Sequence, residues 1–151
     1  MFEPTLVTWT LVVFGVALLF PLIVYVQIQV LIAPEGRKAQ ELWLGKGQTW
    51  RDRTHVEFAY GTGWADLITW IPLGIAGSVG VLLAQPWGYG MWLASGAIAV
   101  YINVILWFSE RKYILPARGA LAYYTYEWGA WVIWGLAVVI YSALRLAGWD
   151  F

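Results

Sequence analysis

The chain has no cysteine. Disulfide staples, thiol nucleophiles and Cys-ligated metals are therefore excluded, and cysteine usage is silent about compartment. Charge is nearly as scarce. Asp, Glu, Lys and Arg make up 12% of the 151 residues, about half of the ~25% usual in a soluble domain. That is too little to coat a water-facing surface. There is one histidine, His55, which cannot supply the axial ligands of a multi-haem or multi-chlorophyll protein, although a single pigment would be compatible with it. No Walker loop, G-x-S-x-G, H-E-x-x-H or dinucleotide fingerprint occurs. No basic stripe suits nucleic acid. The first nine residues carry Glu3 and no Lys or Arg, unlike the basic start of a signal peptide, and the apolar run that follows is too long for one.

What remains is apolar and aromatic. The chain is 61% hydrophobic, with 12 Trp and 9 Tyr, and its mean hydropathy is +0.65. Lipid is the expected solvent, and amphipathic rings suit the headgroup zone. About 20 apolar residues cross a bilayer core. The runs at 5–33, 62–84, 89–109 and 120–146 therefore predict an all-α, polytopic four-helix transmembrane bundle, one domain over 1–151. Pro21 and Pro72 are expected to kink the first two spans. Residues 34–61 read as a polar loop. Its A-Q-E-L-W-L segment is compatible with a short interfacial helix dipping Leu42, Trp43 and Leu44 into lipid, or with an ordinary loop. Thr54-His55-Val56-Glu57 matches a capping box, so the second helix is expected to start near 55. Gly61 and Gly63 permit a break instead. Gly74-xxx-Ser78 and the Ser95, Gly96, Ala97, Ala99 cluster are faces on which another helix can pack closely. The tight turn at Gln85-Pro86-Trp87-Gly88 predicts that spans two and three are antiparallel neighbours.

All nine basic residues except Arg145 fall in the stretches 34–61 and 110–119. The positive-inside rule then places those loops in the cytoplasm and both termini on the other side. With that orientation, Gln27, Asp66, Asn103 and Glu127 fall at one depth, about 6–10 Å inside the cytoplasmic boundary at 1.5 Å per residue. Tyr123, Tyr124, Tyr126 and Thr69 are nearby. A buried carboxylate costs on the order of 2.5–3.5 kcal/mol in a membrane. Asp66 and Glu127 must therefore be protonated, bind a cation, or reach loop bases such as Arg111, Lys112 and Arg118.

Two arrangements stay open for His55. On a continuous helix it stands about 16 Å from Asp66, on the same stripe. After a break at Gly61 or Gly63 it folds onto the acids. His55, Glu57, Asp66, Glu110 and Glu127, with Asp52, would then form a carboxylate-rich metal site with one imidazole. Tyr124, Trp128, Trp131 and Trp134 are candidates for lining a groove for a quinone, carotenoid, sterol or lipid tail; the alternative is helix packing. Cofactor identity is not readable.

Three functions follow. The first is a non-enzymatic subunit or accessory binding protein of a membrane assembly or homo-oligomer, in contact with the lipid bilayer and not with nucleic acid. The second is a proton- or cation-linked transporter or channel using Asp66 and Glu127. The third is an intramembrane enzyme acting on a lipid-like substrate through a His/carboxylate site.

Overall fold

The structure, a computed structural model, describes residues 2–118 and 129–150, with the side chains of all of these but 111–118. Among the described residues the chain is helical and has no strand. The helices are α1 (Leu6–Ile32), α2 (Arg37–Leu44), α3 (Arg53–Leu82), α4 (Pro86–Arg118) and α5 (Gly129–Leu146). Each of α1, α3, α4 and α5 is long and apolar enough to cross a membrane. The expected spans 5–33 and 89–109 match α1 and the apolar part of α4. The first part of the expected fourth span, 120–128, lies outside the described residues.

The polar stretch 34–61 is more ordered than a loop. Of the two alternatives for its middle, a helix is present, α2, but its Trp43 and Leu44 turn inward and not to lipid. They are buried against Val30, Ala59 and Leu106, because α2 folds back over one end of the bundle. α3 starts at Arg53, and its cap is Asp52, whose carboxylate accepts the His55 N–H at 3.0 Å. The capping box expected at Thr54 is thus displaced by two residues, since Asp is as good a cap as Thr and comes first in the chain. The helix passes through Gly61 and Gly63 without a break.

Both internal prolines follow a stretch of π-helix. Val13–Leu19 is π, and Pro21 stands at the start of the next α segment; Asp66–Trp70 is π, and Pro72 is placed likewise. Proline has no N–H, and its ring clashes with the carbonyl four residues back. Widening the turn shifts the register: the Phe20 N–H bonds Gly15 O, and the Ile71 N–H bonds Asp66 O, five residues back in each case. The helix then continues through the proline.

Small residues set the distances between helices. A Cβ on Gly96 would lie 2.8 Å from Gly135 O, and one on Gly135 would lie 2.8 Å from Gly96 O, so α4 and α5 touch backbone to backbone. Gly80 and Gly88 bring α3 and α4 together in the same way. Gly74 receives the Phe20 ring. Phe20, Trp70, Trp131 and Trp134 form the aromatic centre of the core. Trp70 and Trp131 meet edge-on at 5.0 Å, and Phe20 and Trp134 at 5.4 Å. Trp131 and Trp134 are therefore core residues and not the walls of a ligand groove. The other two residues of that candidate groove, Tyr124 and Trp128, lie outside the described residues. The Trp134 indole also donates to Leu11 O at 3.1 Å, in the space that Gly15 leaves.

Two helix ends use the same device. At the end of α5, Gly148 adopts φ 90°, with Gly148 N–H on Arg145 O and Trp149 N–H on Leu144 O. This is the Schellman pattern, which wants glycine at that position. α3 ends identically, with Ala84 N–H on Val81 O and Gln85 N–H on Gly80 O, but the left-handed residue is Ala84 at φ 57°. A left-handed alanine costs ~1–2 kcal/mol, partly offset in a glycine variant by its greater chain entropy. Ala84→Gly is expected to stabilise the protein by ~0.5–1 kcal/mol, measured by denaturant unfolding in detergent.

Candidate functional site

Polar side chains inside the bundle gather at two levels near the α2 end. The outer level is His55 and Glu110. The Asp52 cap fixes the first turn of α3 and turns the ring of His55 inward. The Arg51 N–H donates to His55 Nδ1 at 3.3 Å. The ring proton therefore belongs on Nε2, which sits 3.0 and 2.9 Å from the two Glu110 oxygens. Both residues are buried. Trp50 packs edge-on against the imidazole at 5.0 Å and donates from Nε1 to Pro34 O. Its backbone N–H is held by Gln40 Oε1. The pair is a clasp between the start of α3 and the end of the apolar part of α4, roofed by α2 and Trp50. Neither ring nitrogen is available to serve as base or ligand without giving up one of these bonds.

The inner level is Gln27 and Asp66. Because α3 is continuous, eleven residues separate Asp66 from His55, about 16 Å along the axis. Gln27 on α1 donates from Nε2 to Asp66 Oδ2 at 2.6 Å, and both residues are buried, at 1% and 4% exposure. Asp66 Oδ1 has no hydrogen-bond partner among the described residues, and Asp66 lines a cavity of about 470 Å³ between α3 and α4. Phe58, Gly61, Thr62, Ala65 and Thr69 continue the α3 wall; Ile98, Tyr101 and Ile102 form the α4 wall. The α3 residues fall on one stripe because their spacing is three or four. Tyr101 is 70% exposed and Phe58 39%, so the cavity is a groove open along the side of the bundle.

Of the polar layer expected from depth, the structure joins Gln27 to Asp66. Asn103 is buried and donates to Ala99 O of its own helix. Glu127 lies outside the described residues, as do the side chains of Arg111, Lys112 and Arg118. Of the metal set, His55 and Glu110 meet. Glu57 is exposed and paired with Arg53 at 2.9 Å, and Asp66 is three turns away. Among the described residues no three His, Asp or Glu gather as a metal site would require.

A third polar corner, at the opposite end of the bundle, was not anticipated. Arg145 is buried over the Tyr89 ring, donates to Asp150 at 3.2 Å and caps Glu3 O at 2.9 Å. The Tyr141 hydroxyl bonds Thr5 and Thr8, each at 2.7 Å. The sequence signal was an arginine in the last turn of an apolar helix with an acid five residues on, but nothing in it named Tyr89. Comparison of the chain with protein-family models, with curated proteins and with solved structures finds no match.

Removing one member of a buried pair strands the other. His55→Ala is expected to cost ~3 kcal/mol of unfolding free energy, and Glu110→Gln less, because Gln retains an acceptor for Nε2. Chemical denaturation of the purified variants tests this. The Arg51 guanidinium hydrogen bond, followed by the His55 N–H, holds the Asp52 carboxyl below its ordinary value of 3.8. A lowered folded-state value means the cap's contribution is full above that pH and is lost as pH falls through the lowered one. Amide exchange at His55 should therefore accelerate in acid relative to the α3 interior, and Asp52→Asn should remove that pH dependence.

Proposed function

We propose that the protein is a small integral membrane protein. In this reading α1, α3, α4 and α5 span the bilayer, the stretches 34–61 and 110–119 face the cytoplasm and both termini face the other side. Its role is that of a non-enzymatic accessory or subunit-type binding protein, and the binding site is the lateral groove between α3 and α4. One observation carries this reading. Asp66 is buried, is held through one oxygen by Gln27, and lines a groove of pocket size with the other oxygen unbonded. Three further features support it. The outward faces are apolar, including Leu6, Leu18, Ile68, Phe108, Ile133 and Ile140, as lipid contact requires. The single histidine is engaged at both nitrogens, which favours binding over acid–base chemistry. The small-residue faces at Gly74, Gly80 and Gly96 are occupied within the chain, so contacts with a second copy or with other membrane subunits would use the outward aliphatic and tryptophan surfaces.

The same carboxyl supports a second reading, proton- or cation-linked transport through Asp66 and Glu127, since an acid facing an open groove is also a proton or ion relay. Native mass spectrometry of the protein from its own membrane, with Asp66→Asn alongside, separates the two. Binding predicts a small molecule retained by the wild type and lost from a variant of unchanged melting temperature, with no flux. Proton or cation flux into protein-containing liposomes that Asp66→Asn abolishes would replace this reading by the second.

A further inference from the structure

We infer that the groove takes a hydrophobic amine, a molecule with one protonated amino group on an apolar chain or ring, whose ammonium pairs with Asp66 Oδ1 while its apolar body lies between α3 and α4. This rests on the reading of the groove as the binding site.

The walls argue for that chemistry. Among the described residues, the wall side chains able to carry charge near neutral pH are acids, Glu57 and Asp66. Glu57 stands nine residues, about 13 Å, nearer the α2 end and is already paired with Arg53. Asp66 is therefore the acid left to be answered. A neutral lipid tail would leave its unbonded oxygen without a partner inside an apolar wall, which costs free energy. An anion would be repelled. A bare divalent cation needs six or more oxygens for calcium, or near-ideal octahedral ligation for magnesium, and the described residues gather no such set.

An ammonium on a carbon chain answers every wall. It has three donors. Asp66 Oδ1 takes one, and the hydroxyls of Thr62 and Thr69, one turn to either side of Asp66 on the same helix face, are placed as acceptors for the others. Thr62 already donates its own proton to Phe58 O at 2.9 Å, which leaves its oxygen lone pairs for a donor. Phe58, Tyr101, Ile98 and Ile102 take the apolar part, and the open flank at Tyr101 lets it enter from the side. The rings of Phe58 and Tyr101 at the mouth also attract a passing cation.

Gly61 supplies the test. A Cβ at Gly61 meets nothing within 4 Å, although Gly61 lines the groove. Gly61→Leu therefore fills the groove without forcing α3 from its neighbours, and leucine favours the helix over glycine. The full-length protein in nanodiscs of phosphatidylcholine is incubated with radiolabelled dodecylamine, 1-dodecanol or dodecanoate, and retention is counted over empty nanodiscs. The expected result is saturable binding of one dodecylamine per chain. Dodecanol should bind at least tenfold more weakly and dodecanoate not at all. Asp66→Asn should weaken dodecylamine at least tenfold while leaving dodecanol unchanged, and Gly61→Leu should abolish binding with its melting temperature retained. Equal retention of dodecylamine and dodecanol, both lost in Gly61→Leu, would overturn the amine and keep the groove as the site. Dodecylamine retention that survives Gly61→Leu would overturn both. No saturable dodecylamine binding by the folded wild type overturns the amine.

Discussion

Four helices with apolar outward faces put one pressure on everything polar between them: a group left without a partner inside the bundle costs free energy. The backbone meets it by staying helical through Pro21 and Pro72, with a π turn before each that passes the hydrogen-bond register around the missing N–H. The side chains meet it in pairs that tie distant parts of the chain: Gln27 to Asp66 between α1 and α3, His55 to Glu110 between α3 and α4, and Arg145 to the chain just before α1. Among the described residues Gln27 Oε1, Trp70 Nε1 and Ser142 Oγ are also buried without a partner; Asp66 Oδ1 differs from them in being a carboxyl oxygen at a groove wall.

Glycine placement decides where there is room for a groove. Near the turn at Ala84, Gly80 and Gly88 let α3 and α4 meet backbone to backbone. Along the same pair of helices but farther from the turn, the groove runs from Glu57 to Thr69 on one wall and from Ile98 to Ile102 on the other. There Gly61 faces open space. One residue type thus closes one end of the interface and widens the other, according to whether a neighbouring backbone stands opposite. The roof of α2 and Trp50 seals the His55 clasp above, so the two polar levels are separate: the outer pair holds the end of the bundle together, and the inner pair faces the groove.

The sequence by itself determined four long apolar helices, because run length and charge scarcity are enough to decide that, and it placed Gln27 and Asp66 at a common depth, because depth follows from counting residues at 1.5 Å each. Charge scarcity also leaves His55 and Glu110 among the few ionisable candidates. Counting along helices does not reveal rotation about their axes. Which polar residues face each other was therefore left to the tertiary structure, which paired Gln27 with Asp66, turned Asn103 onto its own helix and joined His55 to an acid 55 residues away. The tryptophan spacing in α5 was compatible with a groove or a core; Phe20 and Trp70 arriving from α1 and α3 made it a core. The choice between a break and a continuous helix at Gly61 was also left to the structure, because glycine permits either; the helix runs through it from Arg53 to Ala65.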